Sequence, residues 1–341
     1  MILVAVAAFA CVPPLLSHDV YSYVDYARLG VLHGFDPYVS PPAAAPSDPT
    51  FAEVTWPDTT SAYGPLFTLA TYPLAWLPVG AAVYTLKAIS AAAVLAIAAL
   101  VARLAPARSV DPLRAAVFVA LNPLVLVHVV GGAHNDSLAI LLMTLGVTGI
   151  LTARETSAGA AFVAAIAIKA STLVALPFAA LSTWRSMGRK PVYDMGNRPV
   201  GGLLTGAGAA AAGIALLAYL AFGWSWLDAF ALAGENQGRT SYLSIPVTTA
   251  RLTGLDPDAV RIAALALYTA FVTCLLIWTY RGADWIRSAA WATAGLLLAT
   301  SWLLPWYLLW PLPLAALSRD GVLKLLVLGL TAYQLGARIP L

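Results

Sequence analysis

Apolar residues run through this chain in long, nearly unbroken blocks, separated by short polar turns and by two much longer polar stretches. Blocks long enough to enter a bilayer lie near residues 1–17, 64–80, 82–104, 114–130, 137–153, 157–181, 200–222, 259–280, 286–304, 306–317 and 321–337. A spanning helix needs roughly 20 apolar residues, so the pattern predicts an all-α polytopic membrane bundle of about eleven helices, some of them short. Pro65, Pro73, Pro78, Pro123, Pro177, Pro305, Pro311 and Pro313 punctuate the blocks. Broken helices of this kind survive in a membrane where their backbone is buried in protein or lines a wet cavity. The long polar stretches are 18–63 and 223–257, and no Ser/Gly linker or charge block divides the rest, so residues 1–341 read as a single domain. Where the first stretch begins, Val20, Val24, Ala27 and Val31 recur at helical spacing. They predict a short amphipathic helix along the membrane interface with Asp19 at its N-terminal end.

Composition sharpens this picture. Sixty per cent of the 341 residues are apolar and 10% are charged, against about 25% charged in an ordinary soluble domain, so no water-soluble surface can be built. The net charge is +3 and the Lys and Arg residues are scattered, which argues against a nucleic-acid partner. Cys11 and Cys274 both sit in apolar blocks, and neither a disulfide framework nor a metal cluster is expected. The first 16 residues lack a basic leader region, and Pro13-Pro14 is not followed by a small-residue cleavage site, so they read as a first, rather short membrane helix.

Charge also orients the chain. The stretch 18–63 carries Asp19, Asp25, Asp36, Asp48, Glu53 and Asp58 against a lone Arg28. The loop 182–199 carries Arg185, Arg189, Lys190 and Arg198 against Asp194, and the turns near 281–287 and 318–324 add Arg281, Arg287, Arg319 and Lys324. The positive-inside rule makes the basic set cytoplasmic and both long polar stretches external, on a plasma membrane. Counting every block as one crossing, however, puts Arg103, Arg108 and Arg114 outside and Gly131 to Asp136 inside. A re-entrant 64–80 reverses both, at the cost of a later block that also fails to span.

Several residues are candidates for chemistry, each with a plainer reading beside it. Asp19 is the first carboxylate after the first helix; it reads as a general base or as a simple helix cap. Asp36 follows as the runner-up base, within the turn Gly34-Phe35-Asp36-Pro37-Tyr38. Lys169 in Ala164–Leu176 and Asp136 in His134-Asn135-Asp136 cost on the order of 2.5–3.5 kcal/mol each at the centre of a spanning helix. Residues that carry this cost face a cavity, or one another as a structural pair. Glu235-Asn236-Gln237-Gly238-Arg239 reads as a phosphate clamp or as a solvated loop. Trp56, Tyr63, Trp302, Trp306, Tyr307 and Trp310 read as site walls or as interface anchors.

The order of these features is more specific than any one of them. Asp19-Val20-Tyr21-Ser22-Tyr23, Asp36-Pro37-Tyr38, Tyr63-Gly64-Pro65-Leu66, Asn122-Pro123, Gly131 to Asp136, and Pro305-Trp306-Tyr307-Leu308-Leu309-Trp310-Pro311 together resemble the GT-C superfamily of polyprenyl-phosphate-sugar glycosyltransferases. Within it the chain looks most like the polyprenol-phosphate-mannose-dependent α-1,6-mannosyltransferases of actinobacterial lipomannan synthesis. The likeness extends over about residues 15 to 317. It implies a GT-C-like bundle, metal-independent transfer, no cofactor beyond a polyprenyl-phosphate-mannose donor, and a glycolipid or glycan acceptor. It also implies that the first-loop aspartate, here Asp19, is the base. Members usually have more chain before that loop, so the start at Met1 departs from the pattern.

The residues support the same chemistry without the name. Phosphate is a good leaving group that needs its charge stabilised, and the acceptor hydroxyl needs a base. Asp19 supplies the base, and Arg239, Lys169 and His134 are the candidates for the phosphate. Asp36, Tyr63, Asn135, Asp136, Glu235, Trp306 and Tyr307 complete the expected substrate site. A transporter or lipid flippase is the alternative, but such proteins commonly show two matching halves, and the acidic stretch 18–63 has no counterpart after residue 200.

Overall fold

The structure, a computed structural model, describes residues 1–187, 199–235 and 238–336. Arg189, Lys190, Asp194 and Arg198 of the basic loop, and Asn236-Gln237 of the second polar stretch, lie outside the described residues. Every regular element among the described residues is helical. In chain order these are α1 (Ile2–Cys11), α2 (Asp19–Leu32), α3 (Pro65–Thr71), α4 (Val79–Leu104), α5 (Pro112–Ala120), α6 (Asp136–Leu151), α7 (Glu155–Ile166), α8 (Leu176–Met187), α9 (Pro199–Phe222), α10 (Asp228–Glu235), α11 (Ile245–Thr253), α12 (Pro257–Tyr280), α13 (Trp285–Ala299), α14 (Leu312–Leu317) and α15 (Gly321–Gly336). Short 3-10 turns and one π-helical turn over Val125–Val130 join them.

Helix starts follow local chemistry. Asp111 and Asp256 each precede a proline and cap their helices through Arg114 N (2.7 Å) and Ala259 N (2.8 Å). Proline at the first helical position loses nothing there, since that N–H has no helical partner. Three helices, α4, α9 and α12, are long and apolar enough to cross a membrane. α9 and α12 leave most of their apolar surface outside the bundle, with Leu216, Leu220, Ile262 and Leu267 exposed. Water would not tolerate that surface, whereas lipid does; this is a membrane protein.

Four apolar blocks fold differently from a simple series of crossings. Block 64–80 is the seven-residue α3 and a 3-10 turn Tyr72–Trp76, too short to cross. Block 306–317, interrupted by Pro311 and Pro313, becomes a 3-10 turn Pro305–Leu309 and the one-and-a-half-turn α14. The first block holds only the ten residues of α1. Block 157–181 is two arms, α7 and α8, that meet at an extended Lys169 (φ −151°, ψ 118°) and a 3-10 turn Ala170–Ala175. Lys169 therefore sits at a helix break and not inside a helix. The helix over 19–32 forms, but it is buried nearly all round, Ser22 and Asp25 included, and presents no polar face.

Contacts sort the turns into two ends of the bundle. At one, Arg108 pairs with Asp284, Arg287 with Asp320 (2.7 Å), and Arg185 Nη1 donates to the Thr279 and Tyr280 carbonyls (3.1 and 2.7 Å). At the other, Ser225 bonds Asp36, Ser241 N donates to Ser301 O (2.8 Å), and Arg239 lies over Trp56, so the two long polar stretches meet. Arg108 thus joins the basic turns, and residues 131–136 join the acidic stretch, as a re-entrant 64–80 requires. The later block that fails to make a single crossing is 157–181, which folds back on itself at Lys169.

The acidic stretch is ordered by a buried network. Arg28 Nε donates to both oxygens of Asp48 (2.9 and 3.0 Å), His33 Nε2 contacts Asp48 Oδ2 (2.7 Å), and Arg28 also holds the Ala75 carbonyl. Burial pushes Asp48 up, but Arg28, His33 and Thr50 outweigh it and hold the carboxyl well below the usual range. Thr50 Oγ1 lies 2.5 Å from Asp25 Oδ1 and 2.7 Å from Asp48 Oδ1. A hydroxyl has one proton to give, so with both carboxyls ionised Thr50 can serve only one of them at a time, and protonation of Asp25 lets it bond both. Burial accordingly raises Asp25 to about 6.

Two predictions follow from this packing. α7 crosses α9 so closely that a Cβ at Gly206 would stand 1.8 Å from the Thr156 carbonyl oxygen; Gly206→Val should part the two helices and lower the detergent unfolding midpoint well beyond the effect of Gly208→Val, whose site is open. Because Asp25 is raised in the folded state, its protonated form adds stability below about pH 4 that is lost as pH rises through about 6. Protection of residues 42–60 from hydrogen exchange, taken relative to the intrinsic rate at each pH, should fall between pH 5 and 7.5, and Asp25→Asn should remove that fall.

Candidate active site

Ser17-His18 sets the start of α2: the Asp19 amide hydrogen-bonds Ser17 Oγ (3.3 Å), and the N-cap position falls on His18. The Asp19 side chain makes no capping bond, so the plain reading of it as a cap does not hold. Its carboxylate accepts no hydrogen bond among the described residues and opens into a cavity. Burial pushes it up to about 6; Lys169 opposes the shift and Asp136 adds to it.

The His134 ring lies against this carboxylate, with Nδ1 3.7 Å from Asp19 Oδ2 and 3.5 Å from the Tyr23 hydroxyl. Burial, then Lys169, hold this imidazole well below its usual range, so the ring is neutral and its contact with Asp19 is not an ion pair. It stacks on Trp306, centroids 3.7 Å apart at 18°. Trp306 is therefore a buried wall of the site and not an interface anchor.

Lys169 reaches this centre because the chain breaks before it. The carbonyls freed at Ala167 and Ile168 are taken by Leu66 N and Gly64 N, both at 3.2 Å, so the Tyr63-Gly64-Pro65-Leu66 turn docks directly on the Lys169 turn. A Cβ at Gly64 would lie 2.0 Å from Ala167 O, which is why glycine stands there. Lys169 Nζ then bonds Asp136 Oδ2 at 2.7 Å, and Asp136 Oδ1 accepts from the Trp310 indole. The ammonium lies 5.0 Å over the Tyr307 ring and 5.6 Å over Trp310, two rings stacked on each other. The structural pair is thus present, and Lys169 also lines the cavity beside Asp19.

Residues 131–136 follow the π-helical turn, and two side chains of α4 add bonds to carbonyls at its end. Ser90 Oγ donates to Val129 O (2.8 Å) and Lys87 Nζ to Gly131 O. Lys87 has no solvent exposure at all. Sequence reasoning passed over it, although a lysine inside the otherwise apolar 82–104 block carried the same signal as Lys169. Ala133 then takes a left-handed conformation (φ 56°) immediately before His134, a strained turn held by its surroundings.

Two cavities share Asp19, Tyr63, Trp302 and Trp306. The larger, about 390 Å³, is lined by Lys169, Tyr307 and Trp310 together with the apolar Ile166, Leu296 and Phe230. The smaller, about 140 Å³, is lined by Trp56, Thr59 and Arg239. Arg239 therefore does not join Lys169. Asp36 lies outside both, capping its own turn through Tyr38 N (2.9 Å) and tying the two polar stretches together through Ser225. Glu235 is exposed at the end of α10 and lines neither cavity. Asn135 is buried with both amide atoms unbonded among the described residues. No three His, Cys, Asp or Glu among the described residues are grouped to hold a metal ion.

Residues 1–185 match the family model described as "Alpha-(1->6)-mannopyranosyltransferase, N-terminal domain". The chain is 30% identical to alpha-(1->6)-mannopyranosyltransferase A of Mycobacterium tuberculosis, over 89% of this chain and 61% of that protein. It is 32% identical to the protein of the same name from Corynebacterium glutamicum, over 48% of this chain and 34% of that one. A probable alpha-(1->6)-mannopyranosyltransferase of Mycolicibacterium smegmatis is 27% identical, over 91% and 63%. The chain thus spans less than two thirds of the length of these relatives. No solved structure matches it.

Removing Lys169 alone strands Asp136, which has no solvent exposure. Breaking a buried pair from one side costs roughly 3–5 kcal/mol, so Lys169→Met should lower the unfolding midpoint sharply. Adding Asp136→Asn should restore most of it. An unchanged midpoint in Lys169→Met would mean that the pair does not hold the site.

Proposed function

The chain belongs to the alpha-(1->6)-mannopyranosyltransferase family, and from that premise we propose that it transfers mannose from polyprenyl-phosphate-mannose to a glycolipid or glycan acceptor, with inversion and with Asp19 as general base. The observation that carries the reading is the Asp19 carboxylate: free of hydrogen bonds among the described residues, largely buried, and open to a cavity that also holds an ammonium.

In this reading Asp19 takes the proton of the acceptor hydroxyl as that oxygen attacks C1 of the mannose. The new C1–O bond forms on the face opposite the phosphate, and the C1–O(phosphate) bond breaks with its electron pair staying on the lipid phosphate. A β-linked donor so yields an α-linkage. The larger cavity suits the donor, because its apolar wall accepts a prenyl chain while Lys169 meets the phosphate. One ammonium hydrogen is spent on Asp136, and the other two remain for phosphate oxygens. Lys169 thereby replaces Arg239 as the preferred clamp. His134, held neutral, can hold its tautomer toward Asp19 but supplies no charge. The charge asymmetry of the two bundle ends favours an external site on a multi-pass protein of the plasma membrane. A flippase reading has less support, since an unpaired carboxylate beside the sugar serves transfer and has no role in passage.

A base that ionises near 6 must be deprotonated to act. Turnover by purified protein with labelled polyprenyl-phosphate-mannose should therefore rise with pH through about 6 and level off above it. Asp19→Asn should cut turnover by about 10²-fold or more. The same change should leave the unfolding midpoint at pH 7 unchanged or raised, because it removes a carboxylate that burial destabilises. Near-normal turnover in Asp19→Asn would end the assignment.

A further inference from the structure

The smaller cavity adjoins the larger one at Asp19, Tyr63, Trp302 and Trp306 and differs from it in chemistry. Trp56 and Trp302 form two of its walls, their rings edge to face at 90° and 6.5 Å apart. Arg239 lies 4.7 Å over the first and 5.4 Å over the second. Thr59, Thr60 and Ser22 add hydroxyls. Trp56 comes from the first long polar stretch, Arg239 from the second and Trp302 from the turn after α13, and the last two segments are fixed to one another by Ser241 N to Ser301 O (2.8 Å) and Ser241 Oγ to Leu303 O (3.0 Å).

We propose that this chamber is the acceptor subsite and that it holds one ring of a neutral, mannose-containing glycan against the wall formed by Trp56, Trp302 and Arg239. The inference rests on the transfer reading above and adds to it the place and chemistry of the second substrate. Its volume, about 140 Å³, is below the roughly 300–1,000 Å³ of sites that enclose a drug-sized ligand, which suits a single sugar ring and not a lipid. Aromatic faces present a negative π surface to the C–H face of a sugar, and a guanidinium offers planar N–H donors to its hydroxyls without accepting any. An anionic acceptor is less well served, because the Arg239 charge is matched by the Asp19 carboxylate among the same lining residues. Asp19 is among the walls common to both chambers and is the carboxylate among them, so a hydroxyl of a ring in the smaller one can reach the base that also faces the donor sugar.

Trp56 is 40% exposed and belongs to the smaller chamber alone, so its removal threatens neither the core nor the donor chamber. Binding of octyl α-1,6-dimannoside to the full chain in detergent, measured by titration calorimetry, tests the proposal whether or not transfer occurs. Wild-type protein should bind; Trp56→Ala should weaken binding at least tenfold, and Trp56→Phe should recover most of it. With polyprenyl-phosphate-mannose present, Trp56→Ala should raise KM for the dimannoside while KM for the donor stays constant. Binding that is absent in the wild type, or unchanged in Trp56→Ala, overturns the acceptor subsite. Binding that depends on Trp56 without any mannose transfer leaves the subsite standing and removes the transferase reading instead.

Discussion

Asp136 has no contact with solvent, yet it is the junction at which three distant parts of the chain are joined. One oxygen takes the Lys169 ammonium from the break between α7 and α8, and the other takes the Trp310 indole from the turn before α14. Each of those partners in turn fixes a wall of the cavity, since Tyr307 stacks on Trp310 and lies under the ammonium. An ionised carboxylate away from water needs both donors to be tolerated. The same demand therefore holds the fold and shapes the site.

The helix breaks around this junction are satisfied in kind. The carbonyls released at Ala167 and Ile168 go to the Gly64 turn, and at the end of the π-helical turn the Val129 and Gly131 carbonyls take further bonds from Ser90 and Lys87. In a medium that offers no water, backbone groups left open would cost several kcal/mol each. Broken helices are accordingly found here where another segment of the same chain supplies donors, and each such repair brings a further segment to the site. Asp19 stands apart from this economy, as the carboxylate whose oxygens the described residues leave unbonded.

Around the site, the acidic stretch behaves as a folded element. Its charges are not spread for repulsion or solubility: Asp48 is neutralised by Arg28, Asp25 is hydrogen-bonded to Thr50, and Asp36 caps a turn. That leaves Asp19 free to titrate near 6 in a surrounding of aromatic rings, with Lys169 opposing and burial dominating its shift.

The hydrophobic pattern alone determined the all-helical membrane class, because spans of apolar residues at bilayer length allow few alternatives. The order of short motifs pointed to Asp19, Tyr63, His134, Asp136, Lys169 and Trp306, all of which converge. Their convergence was legible because charges and paired aromatics in apolar blocks are costly unless they meet something. What the pattern could not decide was where a block folds back. Block 157–181 reads as one helix, and only the docking of Gly64 against Ala167 makes the break at Lys169 affordable and so reverses the direction of the following arm. Likewise Arg239 and Lys169 are both cations near an expected anion, and their separation into different chambers depends on Trp56 and Trp302 capturing one while Asp136 captures the other. Lys87 was visible as a lone charge, but its partner is a backbone carbonyl of a π-helical turn, and no side-chain pattern announces a carbonyl. Local composition determines what must be buried; tertiary contacts decide which of several equivalent partners satisfies it, because that choice rests on distances between segments far apart in the chain.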